Sequence, residues 1–251
     1  MVGVALGLSK RGFIAFASTF AAFWTRAFDQ IRMSAISRGN VKFVGSHGGV
    51  SIGEDGPSQM GLEDFSMFKT VFGSVVLCPA DAVAAAGLTA VAASEQGIFY
   101  MRTARPATRV LYKSDEEFKV GGSKVLKFSK GDELTIVACG VCVVEALNAA
   151  DELAKGGILA RVVDAYCLKP IDEKALRKNA KEAGGVLVTV EDHCFDGGLG
   201  DSVLNVFADG SAKVYKMAVT KMPMSGKSAE LLSYEGIDSE SIVSKVKEIL
   251  G

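Results

Sequence analysis

The alternation of short apolar runs with helical stretches constrains the fold of this chain more than any other feature of its sequence. Apolar, strand-like runs occur at residues 13–17, 41–45, 74–78, 98–101, 134–138, 160–163, 185–190 and 213–219. Helical patterns lie between or beside them, at residues 1–8, 20–36, 62–69, 81–94, 143–154, 172–183 and 239–250. When strands and helices alternate, the strands form a mainly parallel sheet with helices on both faces. We therefore predict an α/β fold.

A polar stretch divides the chain into two α/β units. From Pro106 to Lys124 the sequence is rich in charged residues and contains Gly121-Gly122. This composition is typical of a linker between domains. We predict a first domain at residues 1–112, a linker at 113–123 and a second domain at 124–251.

The overall charge and the cysteines bear on partners and compartment. The net charge of −1 provides no basic surface for nucleic acid, so we expect no nucleic-acid partner. The five cysteines are odd in number and lie mostly in apolar, strand-like contexts. We therefore expect a reducing compartment and a cytoplasmic protein.

The first 24 residues are apolar enough to raise the question of a membrane segment. Lys10-Arg11 interrupts them well short of the roughly 20 apolar residues that a spanning helix needs. The basic pair also follows the apolar stretch, whereas in a secretory signal it precedes it. We expect no membrane partner.

The stretch from Gly45 to Met60 has the composition of a ligand-binding loop. It contains His47, the pair Glu54-Asp55, the amide of Gln59 and five glycines. It follows a strand-like run and precedes a helical pattern, which is where open α/β sheets bind ligands. Dense glycine allows sharp turns and close approach of the backbone to a ligand. The alternative is a glycine-rich connection with a solvated acidic pair.

Motifs along the whole chain resemble those of one enzyme family. Ser46-His47 is followed by the run from Ile52 to Pro57. The other motifs are the run from Phe20 to Met33, the run from Arg102 to Pro106, the run from Val190 to His193 and the run from Ser225 to Leu232. Together they resemble the transketolases, closest to the animal-type branch, and they cover essentially the whole chain.

The resemblance implies two three-layer α/β/α domains, one a pyrimidine-type thiamine-diphosphate-binding domain and the other a transketolase C-terminal domain. Transketolases transfer a two-carbon ketol group between sugar phosphates in the pentose phosphate pathway, using thiamine diphosphate and Mg²⁺ or Ca²⁺. In the family the cofactor lies between the pyrimidine-binding domain of one subunit and the pyrophosphate-binding domain of another. The implied partners are an N-terminal pyrophosphate-binding domain or subunit, a second copy in a homodimer-type assembly, and sugar phosphate substrates.

The resemblance also assigns roles to residues near the cofactor. Phe20 and Phe23 match the aromatic residues that stack on the aminopyrimidine ring, and Arg26 is a lesser neighbour. His47 is the candidate catalytic residue, because its counterpart hydrogen-bonds substrate oxygens near the reacting carbon. Gln59 is a candidate cofactor-binding residue at a position where some branches have histidine, which leaves its part in proton transfer open.

Two further residues match substrate-binding positions. Asp55 is implied to accept hydrogen bonds from a sugar hydroxyl, and Arg105 to bind the terminal phosphate. Pro106 favours an extended conformation at Arg105, which suits a fork of donors directed at a phosphate. The alternative for Arg105 is an ordinary surface arginine. Arg102 belongs to the same motif and receives no role, and no metal ligand is predicted in this chain.

The family's pyrophosphate and metal motif, Gly-Asp-Gly followed by Asn, does not occur among the 251 residues. In the family, the segment that matches Met1 is preceded by the glutamate that protonates the aminopyrimidine and by one strand-helix unit. We therefore expect the C-terminal portion of a transketolase that is inactive alone and exposes apolar surface on its first domain.

Two other functions stay open at this point. A deoxyxylulose-phosphate synthase or the β-subunit of a 2-oxoacid dehydrogenase would share the same architecture. A non-catalytic protein that retains the dimer surface could modulate a complete enzyme.

Three further motifs suggest other chemistry. Cys139-Gly140-Val141-Cys142 has the spacing of a redox dithiol but lacks the aromatic and proline surroundings of thioredoxins. Gly226-Lys227-Ser228 resembles the end of a phosphate-binding loop, but Lys221 stands where the first glycine is required. The run from Gly197 to Gly200 could begin a helix that binds an anion.

Overall fold

The structure is a computed structural model that describes residues 1–251 and contains two five-stranded sheets. The ten strands are β1 (Ala15–Phe20), β2 (Val41–Ser46), β3 (Val75–Leu77), β4 (Phe99–Arg102), β5 (Lys124–Lys127), β6 (Leu134–Ala138), β7 (Ala160–Asp164), β8 (Cys167–Lys169), β9 (Val186–Cys194) and β10 (Lys213–Val219). The nine α-helices are α1 (Val2–Lys10), α2 (Phe28–Ile36), α3 (Asp64–Thr70), α4 (Ala82–Ser94), α5 (Cys142–Lys155), α6 (Glu173–Glu182), α7 (Leu199–Val206), α8 (Ser228–Glu235) and α9 (Ser239–Leu250). Three short 3-10 helices occur at Ala21–Ala27, Val50–Ile52 and Pro57–Gln59.

The first sheet has the strand order β1-β2-β4-β3-β8. Strands β1 to β4 are parallel, while β8 runs antiparallel to β3 and comes from the second half of the chain. Phe20 pairs with Ser46, and Gly45 pairs with Arg102. The ends of β1, β2 and β4 are therefore aligned at one edge of the sheet.

The second sheet has the order β10-β9-β6-β7-β5, in which only β5 is antiparallel to its neighbour. Strand β9 is the longest, and its pairing with β6 ends where Ala138 meets Val190. The following residues, Glu191 to Cys194, extend beyond β6 and contact the first domain. Two mainly parallel α/β domains were predicted, and this fold class is confirmed.

Helices cover both faces of the sheets, as the packing of successive residues of β6 into two different cores shows. In β6, Leu134, Ile136 and Ala138 pack into one core, whereas Val137 packs into another. The core that contains Val137 also contains residues of the first sheet such as Phe43. The two domains thus share one continuous hydrophobic core, in addition to the strand that β8 adds to the first sheet.

Acidic N-caps begin three of the helices. Asp81 accepts from the Ala84 amide at 2.7 Å, as predicted from the sequence, and Asp172 and Asp238 cap α6 and α9 in the same way. Helix α5 ends at Gly156, as predicted. No helix combines the length and the apolar character needed to cross a bilayer.

The prediction for residues 20–36 was wrong in one respect. Phe20 is the last residue of β1, with an extended backbone at φ −62° and ψ 144°, and the chain continues as the 3-10 helix Ala21–Ala27 before α2 begins. The strand lasts longer than predicted because Phe20 still pairs with β2. The sequence analysis also did not identify β5, β8 and α8, which are short or lie in polar stretches, and it gave α7 only a candidate start at residues 197–200.

The edge formed by β1 and α1 is an exposed apolar surface. Strand β1 has a partner on one side only. The exposed apolar side chains on this edge are Met1, Val4, Leu8, Phe13, Ile14 and Phe16. Apolar surface on the first domain was expected, and an unpaired strand edge is a site where another chain can associate.

Candidate functional site

The ends of β1, β2 and β4 bring several predicted site residues to one edge of the first sheet. Phe20 ends β1, His47 directly follows β2, and Arg105 lies three residues after β4. In parallel α/β sheets, ligands bind at the carboxyl ends of strands. The candidate site therefore has the expected location for this fold.

Phe20 and Phe23 form an aromatic wall at this edge. Their ring planes are within 4° of parallel, and the centroids are 5.7 Å apart. The Arg26 guanidinium lies 4.8 Å from the centroid of the Phe23 ring. Next to Phe23, buried Trp24 donates from Nε1 to the Val44 carbonyl at 3.0 Å, which anchors this turn to β2. Two parallel, half-buried rings present the flat apolar surface that a planar heteroaromatic ligand requires.

His47 lies against this wall in an unusual backbone conformation. Its ring stacks on Phe20 with a centroid distance of 4.1 Å and an interplanar angle of 13°. Its φ is +58°, a left-handed conformation that residues other than glycine rarely adopt. Its Nδ1 atom is buried and has no hydrogen-bond partner within the chain. A strained residue with an unpaired buried polar atom is typical of a functional site.

The loop that follows, Gly45 to Met60, is referred to below as the site loop. Gly49 has φ +85° and lies so close to Asp192 that a Cβ atom at this position would be 2.1 Å from Asp192 Oδ2. Only glycine fits both the conformation and the space. Gly48 and Gly49 are fixed further by hydrogen bonds from their amides to the carbonyls of Thr103 and Gly61.

Asp55 and Arg105, predicted as substrate-binding residues, form an ion pair with each other. Arg105 Nη1 lies 2.8 Å from Asp55 Oδ1 and 3.0 Å from the Ile52 carbonyl oxygen. The two side chains are 33% and 43% exposed for Asp55 and Arg105, respectively. The pair is accessible, and a bound anion could contact the remaining donors of the guanidinium.

Gln59 lies in the 3-10 helix Pro57–Gln59, which contacts the 3-10 helix that carries Phe23. Its side chain is half-buried. All the predicted site residues therefore belong to segments that meet at this edge of the first sheet. The role of each residue stays a prediction.

The sequence analysis assigned no role to Arg102, which is the centre of a buried polar cluster. Arg102 Nε and Nη2 donate to both oxygens of Asp64 at 2.9 and 2.8 Å, and its Nη1 donates to the Asp192 carbonyl at 2.6 Å. Tyr100 donates to the same Asp64 carboxylate, and the guanidinium lies 4.2 Å from the centroid of the Phe65 ring. Burial and the Asp64 carboxylate raise the pKa of Tyr100 well above its usual range.

The cluster continues into β9 through Glu191 and His193. Glu191 accepts from the amides of Leu199 and Gly200 at 2.6 and 2.8 Å, so its carboxylate occupies the N-terminus of α7, where an anion was considered. Burial raises the pKa of Glu191 to about 7 and lowers the pKa of His193 to about 4. We call Asp64, Arg102, Glu191, Asp192 and His193 the interdomain cluster. The run from Val190 to His193 was visible in the sequence, but nothing there indicated its contact with the site loop.

The two remaining motifs have structural surroundings. Cys139 and Cys142 are free and buried, and a hydrogen bond with Cys78 together with burial raises the pKa of the Cys139 thiol. Burial also raises the pKa of Cys142, and thiols of raised pKa are poor nucleophiles. At the start of α8, Glu230 accepts from the Lys227 amide at 3.0 Å, which is ordinary helix capping.

A cavity of about 290 Å³ lies between the two domains and borders the site loop at Gly48 and Ser51. It is lined by Ser51, Cys78, Asp81, Arg102 and Cys139, among others, and by none of the predicted site residues. Both Asp81 oxygens already accept hydrogen bonds from main-chain amides, and Arg102 is held by Asp64. The geometry therefore favours the aromatic wall and His47 as the functional site.

The chain lacks a metal centre of its own. No group of three or more His, Cys, Asp or Glu side chains in residues 1–251 is arranged to hold a metal ion. The aromatic wall beside His47 fits the planar ring of a pyrimidine. A metal-bound pyrophosphate would need ligands from elsewhere.

Comparison with protein families gives two matches. The family described as "Transketolase, pyrimidine binding domain" matches residues 1–110, and the family described as "Transketolase, C-terminal domain" matches residues 123–242.

Similar proteins include transketolase-like protein 2 of Mus musculus, 48% identical over 250 residues. The transketolases of Mus musculus and Homo sapiens are 47% and 46% identical over 252 residues. These alignments cover 99% to 100% of this chain but 40% of each relative. The chain thus spans about 40% of the length of these relatives.

Two solved structures share the fold. One, described as "Split gene transketolase, inactive beta4 tetramer", is 36% identical with a TM-score of 0.88, and the match covers 98% of this chain and 79% of that one. The other, a transketolase from Campylobacter jejuni, is 22% identical with a TM-score of 0.84, and the match covers 99% of this chain and 38% of that one.

Proposed function

Because the chain belongs to the transketolase family, we propose that it forms the part of a transketolase that holds the aminopyrimidine of thiamine diphosphate and the sugar phosphate substrate. The assembled enzyme would transfer a two-carbon ketol group between sugar phosphates. One observation carries this proposal: His47, with an unpaired buried nitrogen, stacks on a pair of parallel phenylalanines at the edge of the matched pyrimidine-binding domain.

The aromatic wall would bind and orient the cofactor ring. Phe20 and Phe23 offer parallel apolar surfaces, and Gln59 lies on the neighbouring 3-10 helix with an amide that can pair with a ring nitrogen or amino group. When bound, thiamine diphosphate supplies the carbon nucleophile and the electron sink that ketol transfer requires. The chain's own contribution is to fix the ring and exclude water from one of its faces.

His47, Asp55 and Arg105 would act on the substrate. His47 can donate a hydrogen bond to a substrate oxygen or accept one from it, and an imidazole can serve as a general acid or base. Asp55 is an acceptor for a sugar hydroxyl, and the Arg105 guanidinium can bind a phosphate with donors that Asp55 leaves free. Binding of the phosphate would then compete with or extend the Asp55–Arg105 ion pair.

We propose that these 251 residues need a pyrophosphate-binding domain, in the same polypeptide or in another, to be active. The chain contains neither a Gly-Asp-Gly sequence nor a cluster of metal ligands. In a homodimer-type assembly that domain would come from a second subunit, and the metal would be Mg²⁺ or Ca²⁺. We also propose a cytoplasmic location, which the five free thiols support.

The test is to purify from the native source the polypeptide or complex that contains this sequence. Ketol transfer from a ketose phosphate to an aldose phosphate is then assayed with thiamine diphosphate and Mg²⁺, beside the isolated 251-residue chain. We expect turnover by the purified assembly and none by the isolated chain. Turnover by the isolated chain would overturn the need for a partner domain, and no turnover by the assembly would overturn the transketolase activity.

A non-catalytic role is the second candidate, favoured by one observation. The structural relative that is 36% identical is described as an inactive tetramer of a split-gene transketolase. A protein with this role would co-purify with a complete transketolase and change its activity without adding a site. Thiamine diphosphate binding to the purified assembly, followed by isothermal titration calorimetry, separates the two candidates, because only the catalytic one gains cofactor sites.

A further inference from the structure

The apolar side chains of the site loop lie in the core of the second domain. Val50 and Ile52, with Met60 at the end of the loop, are buried in the same cluster as Val188 of β9 and Leu231 of α8. The 3-10 helix Val50–Ile52 contacts α8. The conformation of the site loop, which contains His47, therefore depends on packing against the second domain.

One carboxylate of the second domain, that of Asp192, binds the main chain of the site loop. Asp192 Oδ1 accepts from the Val50 amide at 2.7 Å, and Asp192 Oδ2 accepts from the Ser51 amide at 3.0 Å. All three residues are buried. The Asp192 carbonyl accepts from Arg102, so the same residue is fixed to the end of β4. Asp192 therefore joins the site loop and the first sheet to β9.

The contact is close enough to set the course of the backbone beside His47. Gly49 approaches the Asp192 carboxylate so closely that no Cβ atom could be placed between them. Gly49 is two residues from His47, whose left-handed conformation leaves little freedom at this turn. A displacement of the carboxylate would move Val50 and, through the turn, the imidazole that stacks on Phe20.

We propose that Asp192 is a positioning residue for the ketol-transfer reaction, which holds His47 in place by binding the amides of Val50 and Ser51. The inference deepens the proposed function and rests on it for the reaction itself. Asp192→Asn replaces one of the two acceptor oxygens with an NH₂ group, so one buried amide loses its acceptor and faces a donor, a loss that drives the loop to rearrange. A displacement of about 1 Å at a reacting group can lower turnover by about 100-fold.

The first test needs no catalysis and uses the 251-residue chain. Amide hydrogen exchange is measured for Asp192→Asn, with Glu191→Gln as the matched control. Glu191 is the adjacent buried carboxylate, and it also binds two amides, but they belong to α7. We expect Asp192→Asn to accelerate exchange at Val50 and Ser51 by about tenfold to 100-fold. Glu191→Gln should accelerate exchange at Leu199 and Gly200 instead.

The position of the His47 ring is followed by NMR in the same variants. The ring centroids of His47 and Phe20 are 4.1 Å apart, so we expect the Phe20 ring current to shift the Cε1 proton of His47. We expect this shift to collapse in Asp192→Asn and to persist in Glu191→Gln. If Asp192→Asn does not fold, Asp192→Glu keeps the charge and displaces the carboxylate by one methylene, and the same two readouts apply. Unchanged Val50 and Ser51 exchange together with an unchanged His47 shift would overturn the proposal.

The second test measures turnover in the assembled enzyme with a double-mutant cycle. If Asp192 acts through His47, Asp192→Asn lowers kcat about tenfold or more when His47 is present and has little further effect on His47→Ala. A purely structural role would give equal effects in both backgrounds, which would overturn the proposal. If the assembly transfers no ketol group at all, the proposed function fails, while the exchange and NMR results still decide whether Asp192 positions His47.

Discussion

The site loop and the interdomain cluster lie side by side and contain similar residue types, but they differ in how their polar groups are satisfied. In the cluster, Asp64 and Arg102 are 0% and 5% exposed and are paired through two hydrogen bonds. In the site, Asp55 and Arg105 form a single contact at the surface, and His47 keeps a buried nitrogen without a partner. Arg102 and Arg105 are neighbours in one motif, but they therefore differ completely in burial and in hydrogen bonding. A polar atom with unused hydrogen-bonding capacity is a better indication of a functional residue than the residue type alone.

The strongest test of this difference is to replace, one at a time, the two arginines of the run from Arg102 to Pro106. Arg102→Met leaves the fully buried Asp64 without its counter-charge, and we expect a loss of about 3–5 kcal/mol in the free energy of unfolding. Arg105→Met, the matched control, removes an exposed pair and should cost about 0–1 kcal/mol. Urea denaturation measures both, and equal losses would contradict the distinction.

The pH dependence of stability tests the cluster through Glu191. Burial raises the pKa of this carboxyl from 4.5 to about 7, so the folded chain holds its proton over a range in which the unfolded chain has lost it. Stability therefore falls as pH rises from about 4.5 to 7, by an amount on the order of 3 kcal/mol. Glu191→Gln has no such proton and should lack this decline.

The difference between wild type and Glu191→Gln isolates this effect. His193, with its pKa lowered to about 4, acts in the opposite direction, because its contribution is lost as pH falls from about 6.5 to 4. Burial is the main cause of the lowered His193 pKa, so most of this contribution is common to both proteins and cancels. Urea denaturation at pH 5, 6, 7 and 8 gives the difference, and a constant difference would refute a raised Glu191 pKa.

Replacing His47 tests whether a residue with an unpaired buried nitrogen serves function more than stability. In the assembled enzyme, His47→Ala should lower kcat by about 100-fold if, as proposed, this side chain exchanges protons with the substrate. The affinity for thiamine diphosphate should change less. Nδ1 has no partner to lose, so the loss in stability should be limited to that of the ring stacking on Phe20, about 0.5–1.5 kcal/mol.

His47→Gly is the control for the backbone. Glycine adopts φ +58° without strain, so this variant should fold at least as stably as His47→Ala and be as inactive. A larger effect of both variants on cofactor affinity than on kcat would show that His47 serves the cofactor instead of the substrate.

The smallest effect is expected for the accessible arginine. Arg105→Ala should raise KM about tenfold for a phosphorylated acceptor through loss of a charge-assisted hydrogen bond, and should hardly change KM for the unphosphorylated sugar. Asp55→Asn, which removes the charge of its partner, is the comparison variant. The same change in KM for both acceptors would remove Arg105 from phosphate binding.

Much of the fold followed from local patterns. Strand β10, helix α9 and the Asp81 cap were predicted as they occur, because each depends on periodicity or on an N-cap within a few residues. Strand β8 was not, because a three-residue edge strand is defined by its pairing with β3, about 90 residues earlier in the chain. The start of the helix at Phe20 was misplaced for the same reason, since Phe20 is held in β1 by Ser46.

The candidate site was accessible to sequence reasoning only in part. The resemblance supplied Phe20, Phe23, His47, Asp55 and Arg105, and the structure places them in segments that meet at one edge. The proposed role of Asp192 could not be predicted from the sequence, because it depends on hydrogen bonds with two amides that lie 141 and 142 residues earlier in the chain. A main-chain amide is present in almost every residue, so the residue types do not reveal which amide a distant carboxylate binds.

Strand β8 has a consequence for where a gene of this family can be divided. The second domain donates this strand to the first sheet and shares a core with it, so a break in the 113–123 segment would leave the first sheet without its edge strand, β8 without a partner and the shared core open. A break on the N-terminal side of both domains leaves this pair intact. The split-gene relative, matched over 98% of this chain, carries both domains on one polypeptide. The two domains should therefore be inherited, fused or exchanged as a single evolutionary unit.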